Sequence, residues 1–309
     1  YAVLGNGLHT VTEDGPWAAD EVTVTNRFGH RAGLRIAQPA GAFVVTNAWD
    51  AAGRWAVVGG TAGTFTYGYP AGSAGRLPVS LTLPGGGFIT NTYDDLARLT
   101  LTELRSPGGS LLNAHGYQYD AASQRTLLGR TNSAAGSWDG YVLAAYDPAG
   151  QLTNAWTYRP DGTPVSSERW SYGYDAAQNL SQRTNNTFVE TFTVNALNQL
   201  VTLPDGAVQY DRRGNLSLRT FNGSQGYWTW SYDHENRLTG VATDTSYTPE
   251  SYRWKVEFAY DGAGRLRVRR DYTWSYGQWS LSGERRYLYD GWLLVQERSG
   301  ANTPTVSYT

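Results

Sequence analysis

Carboxylates are the side chains of this sequence best placed to do acid–base chemistry, and many of them stand directly after an aromatic residue. Asp94 follows Tyr93, Asp120 follows Tyr119, Asp147 follows Tyr146 and Asp175 follows Tyr174. Asp211 follows Tyr210, Asp233 follows Tyr232, Asp261 follows Tyr260 and Asp290 follows Tyr289. Two carboxylates about 5–10 Å apart across a sugar would hydrolyse a glycosidic bond. A second use competes with that one. Asp at the first position of a type I turn bonds its own side chain to the amides ahead of it, and the residues after each Asp fit such a turn. The turn accounts for the spacing and leaves no pair for catalysis.

The other reactive side chains point the same way. His9, His30, His115 and His234 show no metal-binding spacing; His30 and His234 sit in turn-like stretches. There is no Cys, so thiolate metal sites and Cys nucleophiles are excluded. No nucleophile elbow, P-loop or dinucleotide fingerprint is present. The glycine-rich stretches Val57 to Gly60 and Pro84 to Gly87 lack a phosphate-loop Lys and a helix to follow them, and read as turns. The arginines of RLRVRR (Arg265 to Arg270) and of ERR (Glu284 to Arg286) could hold an anion but read as a solvated strand face partly paired with Glu. The sequence therefore predicts no catalytic residue, no metal site and no cofactor. Sequons begin at Asn179, Asn185, Asn215 and Asn222, a frequency near chance in a chain this rich in Asn, Ser and Thr.

What must position these residues is a repeat. YDGAGRL, residues 260–266, has an aromatic to pack, an Asp to start the turn, a Gly able to take the left-handed conformation, and Arg-Leu to begin the return strand. Gly53, Gly150, Gly214 and Gly264 fill the glycine slot, and Asn198 and Asn236 are the next-best residues for it. Ala97, Ser123 and Gln178 fit it poorly, which predicts turns of another kind there. Worn copies are Trp49-Asp50, Val194-Asn195 and Tyr289-Asp290, with weaker ones at Thr25-Asn26 and Tyr69-Pro70. From position 94 to 290 the successive Asp or Asn residues lie 16 to 29 apart, the length of one strand–turn–strand unit with a variable loop.

The flanks alternate with period two. Trp228, Trp230 and Tyr232 share one parity, as do Trp170, Tyr172 and Tyr174, and Leu266 and Val268 oppose Arg265, Arg267 and Arg269. Composition agrees: 22 Tyr, 12 Trp and 36 Gly suit pleated strands joined by turns. The fold class is all-β, repeated antiparallel β-hairpins forming a wound strip in which neighbouring hairpins stack their aromatic rings. Residues 1–90 read as degenerate N-terminal repeats, 91–298 as the regular array and 299–309 as a tail, together one continuous unit. A net charge of −2 gives no global field for nucleic acid. No apolar run approaches the roughly 18 residues of a spanning helix. There is no signal-peptide pattern, and a chain that begins at Tyr1 and has no Met reads as a piece excised or processed from something longer.

The motif series resembles the YD-repeat, or RHS-repeat, family, whose consensus is similar to Tyr-Asp-x-x-Gly-Arg-Leu. YDGAGRL, YDRRGNL, YDHENRL, VNALNQL and YDPAGQL carry the resemblance, which is strong from about residue 90 to 295 and worn from 20 to 90. It implies a β-strip wound into a hollow shell that encloses a cargo in bacterial toxins, or sits outside the cell in teneurins. It therefore implies an extracellular or cell-surface setting and a non-enzymatic structural role. The acidic core segment with which the family cuts its cargo free is not found. A dozen hairpins make a short strip with open edges, which invite self-association or pairing with neighbouring YD-repeat segments. An enclosed polypeptide is a further expected partner. Two other functions stay open: a carbohydrate-binding, adhesive module using exposed Trp and Tyr, and the shell fragment of a toxin whose effector lies beyond Thr309.

Overall fold

The structure is a computed structural model, and it describes residues 2–3, 7–132, 139–223 and 226–308. Among these residues the regular structure is all β-strand, joined by turns and loops, apart from one 3-10 turn, Glu250–Tyr252. It divides into two compact units, one of residues 46–191 and one of residues 1–45 with 192–309.

In the unit of residues 46–191, each strand from Trp55–Gly60 to Phe188–Thr191 pairs antiparallel with the next in sequence. This strict order follows from short turns, since only antiparallel neighbours can be joined by tight hairpins. Turns alternate between the two ends of the strands. At one end stand the Asp-led turns. At the other, Leu83 to Gly87, Ser106 to Ser110 and Arg159 to Thr163 close with the same two backbone bonds, around sequences rich in Pro and Gly.

The other unit contains an 11-stranded antiparallel sheet in sequence order, from Thr193–Val194 to Pro304–Ser307. It also contains the hairpin strands Leu8–Glu13, Val22–Arg27 and His30–Gln38. Alternation along the sheet is plain in Tyr227–Tyr232, where Trp228, Trp230 and Tyr232 are half-buried while Thr229 and Ser231 are exposed.

The best-buried side chains of this unit come from its N-terminal and C-terminal strands. Val22, Leu34 and Ile36 are buried on the N-terminal side, and Tyr287, Leu288 and Val295 on the C-terminal side. Arg298, with no exposed surface, locks the two together. Its Nη1 donates to Ala19 O at 2.9 Å, its Nη2 donates to Ala37 O, and its Nε donates to Gln296 Oε1 at 2.8 Å. Burial lowers the guanidinium pKa, and nearby Asp20, itself 1% exposed, opposes that shift. Removing a partner from a buried charge of this kind is far costlier than the net worth of the pair.

The arginines at 265 and 267 are not on a solvated face. Residues 13–20 cover them. Arg265 Nη2 pairs with Glu13 at 2.5 Å, and Arg267 lies 5.2 Å from the Trp17 ring and is 8% exposed. Strand parity does place them opposite Leu266 and Val268, but a segment more than two hundred residues away in sequence packs on that side. Arg269, Arg270 and Arg285 remain 39–56% exposed at their side chains, with carboxylate partners Asp271, Glu284 and Glu297.

Candidate functional site

The site is the repeated turn. In YDGAGRL the Asp261 N–H donates to Arg265 O at 3.0 Å, and the Gly264 N–H donates to Asp261 O at 2.9 Å. The carboxylate Oδ1 accepts from the backbone N–H groups of Ala263 and Arg265, both at 3.0 Å, and Oδ2 accepts from Arg265 Nε at 2.8 Å. Gly264 takes φ +83°. Tyr260 pairs across the hairpin with Leu266 after a register shift at Ala259. This is a type I turn followed by a left-handed residue and a bulge.

Among the described residues, nine turns led by Asp or Asn share the two backbone bonds. They begin at Asp50, Asp94, Asp120, Asp147, Asp175, Asn195, Asp211, Asp233 and Asp261. Ala97, Ser123 and Gln178 do not change the turn type, contrary to the sequence expectation. They take φ +62°, +63° and +68° and make the same N–H bond back to the Asp as glycine does. A left-handed residue other than Gly or Asn costs about 1–2 kcal/mol, which the bonds around each Asp outweigh.

Each turn also reaches its neighbour. At six positions a Tyr hydroxyl donates to the carbonyl of the residue five after the Asp or Asn that begins the preceding turn. Tyr119 reaches Leu99 O at 2.7 Å, Tyr146 reaches Arg125 O at 2.9 Å, and Tyr174 reaches Leu152 O at 2.8 Å. Tyr210 reaches Leu200 O and Tyr260 reaches Leu238 O, both at 2.8 Å. Tyr69 does the same to Trp55 O at 3.0 Å. Where the residue four after the Asp is Arg, its guanidinium lies over the next hairpin's Tyr. Arg54 is 4.1 Å from the Tyr69 ring, Arg98 4.8 Å from Tyr119, and Arg237 5.1 Å from Tyr260. Arg98 Nη1 also donates to Asp120 O at 3.1 Å, and Gln151 Nε2 donates to Gln178 O at 3.2 Å.

The tyrosines therefore do not form the stacked ladder that alternation suggested. Among the described residues no ring pair joins two of the Asp-preceding tyrosines. Tyr93, Tyr119, Tyr146, Tyr174, Tyr210 and Tyr260 instead put their hydroxyls on backbone oxygens. Ring contacts join other aromatics, edge-on for Trp228 with Trp254 at 5.2 Å and Trp274 with Trp279 at 5.0 Å, and stacked for Tyr141 with Tyr158 at 5.3 Å.

Three motif positions stand differently. Tyr93 donates to Pro78 O at 3.1 Å, because an irregular stretch replaces the preceding hairpin turn. At Tyr289-Asp290, Asp290 is still within the ladder, opposite Leu293, so Gly291 and Trp292 alone form the loop. Asp290 instead pairs with Arg31 at 2.9 Å. Thr25-Asn26 likewise precedes a two-residue loop, Phe28 and Gly29, both at positive φ.

The electrostatics suit a brace. At Asp50, Asp94, Asp175, Asp211 and Asp233, the backbone N–H four residues on is the strongest influence holding the carboxyl below its ordinary range. At Asp261 burial pushes the carboxyl up, and the Arg265 bonds outweigh it. A general acid near neutrality needs the opposite shift. His234 is exposed within its turn, and among the described residues no three His, Cys, Asp or Glu side chains are grouped to hold a metal ion. The sequon asparagines are all engaged, Asn179 and Asn215 on their own turn Asp, Asn185 on Ser167 O and Asn222 on Pro204 O.

Residues 143–280 match the model of the Teneurin YD-shell family. This stretch is made of YD-repeat hairpins, and the chain carries the repeat of the YD/RHS family. The structure of a Photorhabdus luminescens Tc holotoxin pore with a mutated TccC3 is similar over 94% of this chain, at 14% identity and TM-score 0.53. The crystal structure of TcdB2-TccC3-Cdc42 aligns with 97% of this chain at 13% identity and TM-score 0.49. The chain spans 17% and 20% of the lengths of those two structures. No curated relative matches the sequence. The likeness to the holotoxin is one of fold.

Proposed function

We propose that this chain is a non-enzymatic structural element, a length of YD-repeat β-strip that forms shell wall or the body of an extracellular fibre. One observation carries the reading. In most copies the Asp, the Tyr and the residue four after the Asp, which are the polar groups the motif repeats, are spent on bracing their own turn and on bonding the adjacent hairpins. A binding or catalytic repeat would leave them facing outward.

On this reading the partners are neighbouring YD-repeat segments, joined edge to edge through backbone bonds, with a polypeptide cargo where the strip forms a shell wall. The setting is outside the cytoplasm, as for teneurins and toxin shells. Negative-stain electron microscopy of the purified 34.0 kDa chain, with light scattering for mass, tests the proposal. Hollow particles or regular fibres are expected. Solid, unassembled globules at every concentration would overturn it.

A further inference from the structure

The unit of residues 1–45 with 192–309 is built from two stretches of chain separated by the whole of the other unit. Among the described residues no strand ladder joins the two stretches. Side chains hold them together instead. Arg298 donates to Ala19 O and Ala37 O, and Asn302 Nδ2 donates to Ala18 O at 2.7 Å. Arg31 pairs with Asp290 at 2.9 Å, and Arg265 with Glu13 at 2.5 Å. The Trp17 ring lies 5.2 Å from both the Arg267 and the Arg286 guanidinium. Val22–Arg27 packs against Gln278–Asp290.

This clasp is complementary in charge and has a direction. Residues 13–21 carry Glu13, Asp14, Asp20 and Glu21 and no cation. The surface they meet carries Arg265, Arg267, Arg286 and Arg298. The N-terminal stretch therefore fits the C-terminal one, whereas two N-terminal or two C-terminal stretches would set like charges against each other. None of these bonds depends on the two halves belonging to one molecule. Glu13 and Arg265 stand 252 residues apart in sequence. Exchange of an identical element between copies keeps every contact, so it costs little.

We propose that this clasp is the joint between copies of the chain: residues 8–38 of one copy seat on residues 265–302 of the next, in place of that copy's own. The joint brings together two different surfaces, so it is heterologous and either closes a ring or continues as a fibre. It rests on the reading of the chain as a structural strip, and it adds a contact that is not a sheet edge.

The chain has no Cys, so introduced cysteines report on the joint without background. Arg31→Cys and Asp290→Cys replace a half-buried ion pair and leave Arg298 with its acceptors. The two single variants are refolded together from urea and treated with a short bismaleimide. A covalent dimer linked between positions 31 and 290, identified by peptide mass spectrometry, is expected. Its yield should fall about tenfold on tenfold dilution, by mass action. The double variant Arg31→Cys/Asp290→Cys, kept dilute, should link within one chain at a yield that dilution does not change. The proposal is overturned if the double variant links internally while the mixed single variants give no 31–290 dimer at any concentration. It is equally overturned if neither links, because the clasp itself is then not formed. Parent assemblies seen by electron microscopy beside such a result would mean that the strip joins by its edges alone, and the structural reading would stand without this joint.

Discussion

Replacing Asp261 by Ala and by Asn separates the bracing role of the motif Asp from its charge. Ala removes the acceptor for two backbone N–H groups and for Arg265 Nε. Hydrogen bonds to a charged group contribute about 1.5–3 kcal/mol each when buried. Asp261 is 22% exposed at its side chain, so water recovers part of each bond, and Arg265 keeps Glu13 and Gly291 O as partners. The expected loss is about 2–3 kcal/mol in total. Asn keeps the acceptor oxygen, and Asn195 shows the outcome, with its Oδ1 accepting from Leu197 N at 2.9 Å and Gln199 N at 3.0 Å. Asp261→Asn should therefore cost only about 1 kcal/mol, the share of the Arg265 ion pair. Urea unfolding followed by tryptophan fluorescence reads both as shifts in midpoint at constant slope. If the Ala variant is no less stable than the Asn variant, the backbone bonds do not brace the turn and the reasoning fails.

Ala97 occupies the glycine slot at φ +62°, so Ala97→Gly should raise stability by about 1 kcal/mol, read as a higher urea midpoint. Gly264→Ala should lower it by a similar ~1 kcal/mol, through backbone strain alone, since an added Cβ would meet nothing closer than Arg237 Nη1 at 3.8 Å. Against the upward push of burial, the hydrogen bonds on Asp244 bring its pKa from the ordinary 3.8 down to about 2. A depressed carboxyl adds stability above its unfolded value, and that stability is lost as pH falls from near 4 through about 2. Asp244→Asn should remove about 2 kcal/mol at neutral pH and flatten the stability profile across that acid window, measured by urea unfolding at each pH.

The turn was legible because one short motif holds nearly all the groups that make it. Asp, the slot residue and the following Arg or Asn lie within five positions, so their bonding is a local matter. Most of the failures are long-range, and one is local. Ala97, Ser123 and Gln178 looked unsuitable because propensity prices each residue alone, while the turn's bonds act together. The tyrosine hydroxyl's partner lies 10 to 22 residues back in sequence, and alternation reveals which face a ring takes but not what its hydroxyl meets. Arg298 carries no motif signal, since nothing local hints that residues 19 and 37 supply its acceptors. Arg267 was misread for the same reason. The Asp244 loop has no motif partner, and the 28 residues from Asp233 to Asp261 lie within the spacing of the other repeats, so no length signal marks it.

The central claim is that the repeated Tyr joins one hairpin to the one before it, and hydrogen exchange on Tyr260→Phe tests it most directly. The substitution keeps the ring and deletes only the bond to Leu238 O. A net loss of about 1 kcal/mol corresponds to roughly fivefold faster exchange. That acceleration should reach the preceding hairpin, Tyr227–Tyr232 and Leu238–Thr243, as well as Trp254–Tyr260 and Leu266–Ser275. Faster exchange confined to the hairpin that carries Tyr260, or no change at all, would contradict the account.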